Sequence, residues 1–138
     1  MFHFFSAIKK HKFGEEIKRI DEEISRSNRF DFSFGVLVAE VSHSAPKGLS
    51  KLMPGKALSF HLMRRYIRGY DKLYGPFFRR YYIILPQGNR TSVNVVKERI
   101  FKLAQEHNWG RVAVGTAVYK EDGKTAQALL GKALSELS

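Results

Sequence analysis

From Phe32 to Val41 the chain reads FSFGVLVAEV, a run with a single charge and several β-branched side chains. A strand with one wet face alternates apolar and polar residues, whereas a near-continuous apolar run marks a central strand covered on both faces. Such a strand requires helical layers on both sides.

The flanking sequence supplies them. Phe13, Ile17, Ile20 and Ile24 recur at helical spacing, with Glu15, Glu16, Lys18, Arg19, Glu22 and Glu23 between them. This spacing predicts an amphipathic helix with its charges on the outer face. Ser25 to Asp31 reads as a polar break, and residues 42–55, rich in Ser, Pro, Gly and Lys, as a loop. Ala57 to Ile67 reads as a helix. Tyr70 to Gly75 and Phe77 to Leu85 read as two strands around a Gly75-Pro76 turn, and Pro86 to Asn89 ends the hairpin. Val93, Val96, Ile100 and Leu103 mark a further helix. Arg111 to Tyr119 reads as a strand, and Ala126, Leu130, Ala133 and Leu137 as a closing helix. The order α-β-α-β-β-α-β-α predicts an α/β sandwich, of α+β type, with a ferredoxin-like βαββαβ core.

At 138 residues the chain suits one compact domain, and 43% hydrophobic content gives it a core to bury. It has no cysteine, which excludes disulfides and thiolate metal sites and is compatible with a reducing cytoplasm. No apolar run is long enough to span a membrane. The opening MFHFFSAIKKHK is too poor in small residues for a signal peptide. Residues 1–12 read as an N-terminal arm, a frayed end or the remnant of a longer chain, in preference to a membrane-touching stub. Residues 13–138 read as the domain. The formal charge of +11 favours anionic partners: nucleotide, nucleic acid, acidic lipid or an acidic protein face.

The segment Arg68–Arg99, RGYDKLYGPFFRRYYIILPQGNRTSVNVVKER, narrows that choice. Without a gap it resembles the stretch of GGDEF domains that runs R-x-x-D, a hairpin bearing G-G-D-E-F, a strand ending in L-P, and a helix containing E-R. Arg68 and Asp71 fall on R-x-x-D, Phe77-Phe78-Arg79-Arg80-Tyr81 on G-G-D-E-F, Leu85-Pro86 on L-P, and Glu98-Arg99 on E-R. Val36 to Val41 resembles the family's apolar strand that ends in D-x-D. Val112 to Ala117 resembles its late strand, and Asp122 to Leu134 its closing helix. The resemblance implies the diguanylate cyclase fold: a mainly antiparallel sheet flanked by helices.

It also implies lost chemistry. The family's two glycines let the backbone approach nucleotide phosphates, and here Phe77 and Phe78 stand there. Magnesium requires hard oxygen ligands, and here Arg79 and Arg80 replace the hairpin acids. Glu40 alone survives of the strand-end pair, with Ser42 in place of the second acid, and reads as a carboxylate with a basic neighbour. Gly55-Lys56 stands where a guanine-reading G-D belongs. These changes together predict no catalytic residues, no magnesium and no cyclase activity.

What is kept is a second site. In the family, R-x-x-D and the helix arginine bind the product, cyclic di-GMP. Arg68, Asp71 and Arg99 match all three positions. A guanidinium forks onto guanine or phosphate acceptors, and a carboxylate accepts from guanine N1–H. The competing reading is ordinary ion-pair spacing on a helix. The expected function is therefore a non-catalytic signalling module that binds cyclic di-GMP. The second expectation is a ligand-free domain that docks onto a protein partner or a further domain. Phe77 to Tyr82 also interleaves aromatic and basic residues as a nucleic-acid-binding sheet does, and nucleic acid is the minor alternative. His3, His11, His43, His61 and His107 show no ligand spacing, so no metal site is expected.

Overall fold

The computed structural model describes residues 14–42, 61–65 and 67–137. The N-terminal arm, Phe13, most of the loop after Val41, Gly55-Lys56, and His3, His11 and His43 lie outside the described residues. Helix α1 spans Gly14–Phe30 and strand β1 Gly35–Val41. Helical residues 61–65 form α2, and strands β2 and β3 span Lys72–Phe77 and Arg80–Leu85. Helix α3 (Arg90–Glu106), strand β4 (Val112–Val118) and helix α4 (Ala126–Ser135) follow. The strands form one sheet of order β2-β3-β1-β4, and every neighbouring pair is antiparallel. This is the ferredoxin-like arrangement expected from the element order.

β1 is the central, doubly covered strand. Leu37, Ala39 and Val41 face a core with Val93, Val96, Ile100 and Leu103 of α3 and Leu62 and Met63 of α2. Val36 and Val38 face the other core, with Ile20 of α1 and Ala126, Leu129, Leu130 and Ala133 of α4. Asn89 caps α3 by accepting from the Ser92 N–H, and Thr125 caps α4 by accepting from the Ala128 N–H. β4 is an edge strand. Two of its N–H groups are taken by carboxylates, Thr116 by Glu136 and Val118 by Asp122, each at 2.8 Å. Both blunt an edge that would otherwise template pairing with another chain.

Three expectations need correction. The first helix does not stop before Ser25; it continues through the polar stretch to Phe30. Asp31, with φ of 54°, then turns the chain in the left-handed conformation that ends helices. Its charges are not all outward. Ile20 centres the buried arc, Ile17 and Ile24 flank it on one side, and Glu16, Glu23 and Ser27 lie fully buried on the other.

The hairpin turn is the third. It is not Gly75-Pro76, which lies inside β2, but Phe78-Arg79. β2 is an edge strand, where a residue without an N–H is tolerated. The ladder with β3 breaks register between Tyr74 and Phe77, and Gly75 sits at φ of 111°. A Cβ there would meet the Arg80 carbonyl oxygen at 2.6 Å, so the bulge requires glycine.

Candidate functional site

The β2–β3 hairpin carries a distinct group of residues at each end. Strands of this length place the two ends roughly 20 Å apart.

The closed end is the segment that falls on G-G-D-E-F. Phe78 and Arg79 occupy the two central turn positions, with φ of 53° and 68°. Two positive φ values match the twist of a hairpin, but such turns favour Asn and Gly because side chains are strained there. Phe77 packs against the core beneath α1, its ring 6.2 Å from that of Tyr82, while Phe78 is 54% exposed. Glu40 lies opposite Arg80 in the ladder, and Arg80 Nε donates to Glu40 Oε1 at 3.2 Å. The carboxylate that the resemblance would put at a metal position thus faces a guanidinium. Among the described residues no cluster of three His, Asp or Glu side chains could hold a metal ion.

The strain at the tip has a measurable consequence. Phe78→Gly is expected to raise stability by about 0.5–1 kcal/mol, since relief of the left-handed strain exceeds the extra entropy of the unfolded chain. Urea denaturation of the two proteins checks this; an equal or lower midpoint for the variant contradicts the turn geometry.

The open end forms a groove of about 260 Å³ between the start of β2 and α3. Arg68 and Asp71 line it together with Arg99, which is 28 residues on from Asp71, and with Ile67, Thr91 and Val95. The chain folds tightly here. The Asp71 N–H donates to the Arg68 carbonyl oxygen at 3.0 Å. The Asp71 carboxylate in turn accepts from the Arg68 N–H at 2.7 Å and from Arg68 Nε at 3.1 Å. Arg68 Nη2 reaches the Pro86 carbonyl oxygen at 3.2 Å and Asp71 Oδ1 at 3.0 Å. Tyr70 lies over the guanidinium, 4.5 Å from ring centroid to carbon, and is itself exposed. Arg64 braces the turn from α2 by donating to the carbonyl oxygens of Arg68 and Gly69.

Asp71 is only 2% exposed, whereas the Arg68 side chain is 41% exposed. Burial alone would lower the Arg68 pKa, but the hydrogen bond and charge of Asp71 outweigh it and raise it, so the guanidinium stays charged. Sequence reasoning placed both residues at this site. It did not anticipate that the aspartate would be turned inward, nor that Tyr70 would stack on the arginine; the spacing R-x-x-D carries no signal for either.

The surroundings are basic. Arg99 and Lys102 also line a second depression further along α3, with Leu103 and Glu106. The groove is therefore an apolar-floored cleft rimmed by cations, suited to a flat anionic ligand.

No family model and no curated protein matches the chain by sequence. Solved structures do match it. The GGDEF domain of FimX from Pseudomonas aeruginosa superposes with a TM-score of 0.69 at 12% identity, over 90% of this chain and 84% of that one. The GGDEF domain of DgcB from Caulobacter crescentus, in complex with c-di-GMP, gives 0.69 at 14% identity, over 88% and 77%. The GGEEF domain of a diguanylate cyclase from Vibrio cholerae gives 0.63 at 12% identity, over 84% and 81%. At such identities the likeness is one of architecture, and with the sheet order and helical layers described above it establishes that this chain has the fold of a GGDEF domain.

Proposed function

We propose that this chain is a non-catalytic GGDEF-fold signalling module that binds cyclic di-GMP in the groove lined by Arg68, Asp71 and Arg99. The observation that carries the reading is that these three residues, matched one by one from sequence, line a single cation-rimmed groove. A neighbour of the same fold, the DgcB domain, was solved in complex with c-di-GMP. Arg68 and Arg99 supply positive charge for phosphate, and the apolar floor of Ile67, Leu85, Val95 and Val96 accepts a base.

The closed end of the hairpin supports the absence of catalysis. Phosphoryl transfer between nucleotides needs a metal clamp on developing charge. Arg80 instead neutralises Glu40, and Phe77 and Phe78 stand where glycine would admit phosphates. With GTP and magnesium the chain is expected to yield no cyclic product by chromatography.

Loss of a charged hydrogen bond costs about 1.5–3 kcal/mol. Arg68→Ala and Arg99→Ala are therefore each expected to weaken cyclic di-GMP by about ten- to hundredfold, read by displacement of a fluorescent nucleotide. Unchanged affinity in both variants removes the groove from the function. A second reading, docking of the hairpin onto a protein partner, rests on the exposed Phe78 at the strained tip. It predicts that Phe78→Ser abolishes partner capture while Arg68→Ala does not.

A further inference from the structure

The groove between β2 and α3 is small for the ligand proposed above. Its volume is about 260 Å³. Sites that enclose a ligand of drug size run to roughly 300–1,000 Å³. A cyclic dinucleotide carries two purines, two sugars and two phosphates, so one half fills the groove and the other must lie beyond it. The groove is also short of acceptors. The N1–H and amino group of guanine need one. Asp71 is buried, and its oxygens are held by the Arg68 N–H, Nε and Nη2.

The surface continues past Arg99. That residue lines the groove and also the second depression, of about 170 Å³, where its described neighbours are Lys102, Leu103 and Glu106. At this spacing the four residues share one face of α3, and Arg99 to Glu106 spans about 10 Å along the helix. Leu103 is buried and floors the depression, whereas Lys102 and Glu106 are exposed. Lys102 and Glu106 stand four residues apart, the spacing of a helical ion pair. Yet among the described residues neither forms an ion pair or a hydrogen bond. A cation and a carboxylate, both uncommitted, thus stand over an apolar floor. They complement the phosphate, the N–H edge and the ring face of a guanine nucleotide.

We infer that this depression is a second subsite, which takes the other half of the cyclic dinucleotide. Lys102 pairs with phosphate, and Glu106 accepts from guanine N1–H and the amino group. Arg99, on the rim of both depressions, stands where the two halves join. The inference rests on the proposed binding function and extends its footprint along α3.

Calorimetric titration of the full chain with cyclic di-GMP tests it through three variants. Lys102→Ala is expected to weaken binding by about tenfold, the loss of one charged hydrogen bond. Lys97→Ala removes the same charge from the same helix, but Lys97 lines neither depression. Its affinity is expected to stay within about twofold of the parent, since a screened charge acts weakly at a distance. Glu106→Gln decides by its sign. A carboxylate that reads guanine loses an acceptor, and binding weakens by about tenfold. A carboxylate that only repels the anion gives tighter binding when neutralised. Lys102 and Glu106 are exposed, so these substitutions leave the core intact. Unchanged or tighter binding by Glu106→Gln, or a Lys102→Ala protein that matches Lys97→Ala, overturns the inference and leaves the groove and its binding function standing. Failure of the parent to bind cyclic di-GMP overturns the binding function and this inference with it.

Discussion

Gly115→Ala is expected to cost about 3 kcal/mol or more, at the upper end of overpacking penalties, and to lower the melting temperature by roughly 10 °C. Gly115 lies in β4 directly beneath α4. A Cβ built there falls 1.7 Å from the Ala133 carbonyl oxygen and 2.7 Å from its carbon. These atoms belong to the backbone of a helix, so no side chain can swing aside. The helix itself must lift from the sheet and uncover Leu129, Leu130 and Ala133, all buried against β1 and α1. Gly131, in the same helix, supplies the control. Nothing lies within 4 Å of a Cβ added there, and Gly131→Ala is expected to be neutral or stabilising by up to about 1 kcal/mol through helix propensity. Thermal melts of the two variants check the pair. A Gly115→Ala protein as stable as the parent contradicts the seating of α4.

Glu16→Gln is expected to stabilise the protein at pH 8 and to have little effect at pH 4. Glu16 is fully buried on the inner face of α1, and neither carboxylate oxygen has a hydrogen-bond partner outside its own residue. Burial pushes its pKa up from 4.5 to about 7; its own backbone N–H pulls the other way, and Glu15 adds to the rise. The sign follows from proton uptake on folding. A carboxyl with a raised folded-state pKa is held protonated by the fold, so the unfolded chain releases its proton first as pH rises. Stability attached to the neutral form is intact below pH 4.5 and is lost as pH rises through about 7. Discounted for solvent screening, the effect at alkaline pH is on the order of 1–2 kcal/mol. Glutamine keeps the shape of the protonated acid and carries no charge. Urea unfolding at pH 4, 6 and 8 is expected to show the parent losing stability across this range and the variant staying flatter. Parallel curves contradict the burial of this carboxyl.

The sheet and its helical layers were legible because they follow from periodicity. The apolar run ending at Val41 does form the central strand, and Val93, Val96, Ile100 and Leu103 are all buried as their spacing requires. What escaped sequence reading depends on tertiary context. Gly75-Pro76 carries strong turn chemistry, yet the edge position of β2 accommodates it and the turn forms three residues later, at Phe78-Arg79. Glu16 and Glu23 carry the signature of a solvated helix face, yet the rotation of α1 about Ile20 buries both. At the groove, matching the segment to a family pattern located Arg68, Asp71 and Arg99. It gave no access to the direction of the Asp71 carboxylate, which is set by the backbone turn between Arg68 and Asp71. The polar character of R-x-x-D is therefore readable from sequence, and the division of labour within it only from the fold.

On the function proposed above, the domain lacks cyclase chemistry and binds cyclic di-GMP in the groove between β2 and α3. Calorimetric titration of the purified chain with cyclic di-GMP, with GTP as the control ligand, tests it most directly. Saturable micromolar or tighter binding of cyclic di-GMP, with no comparable heat from GTP, is the expected result. No heat from cyclic di-GMP contradicts the claim and reduces Arg68, Asp71 and Arg99 to a structural cluster on a basic surface.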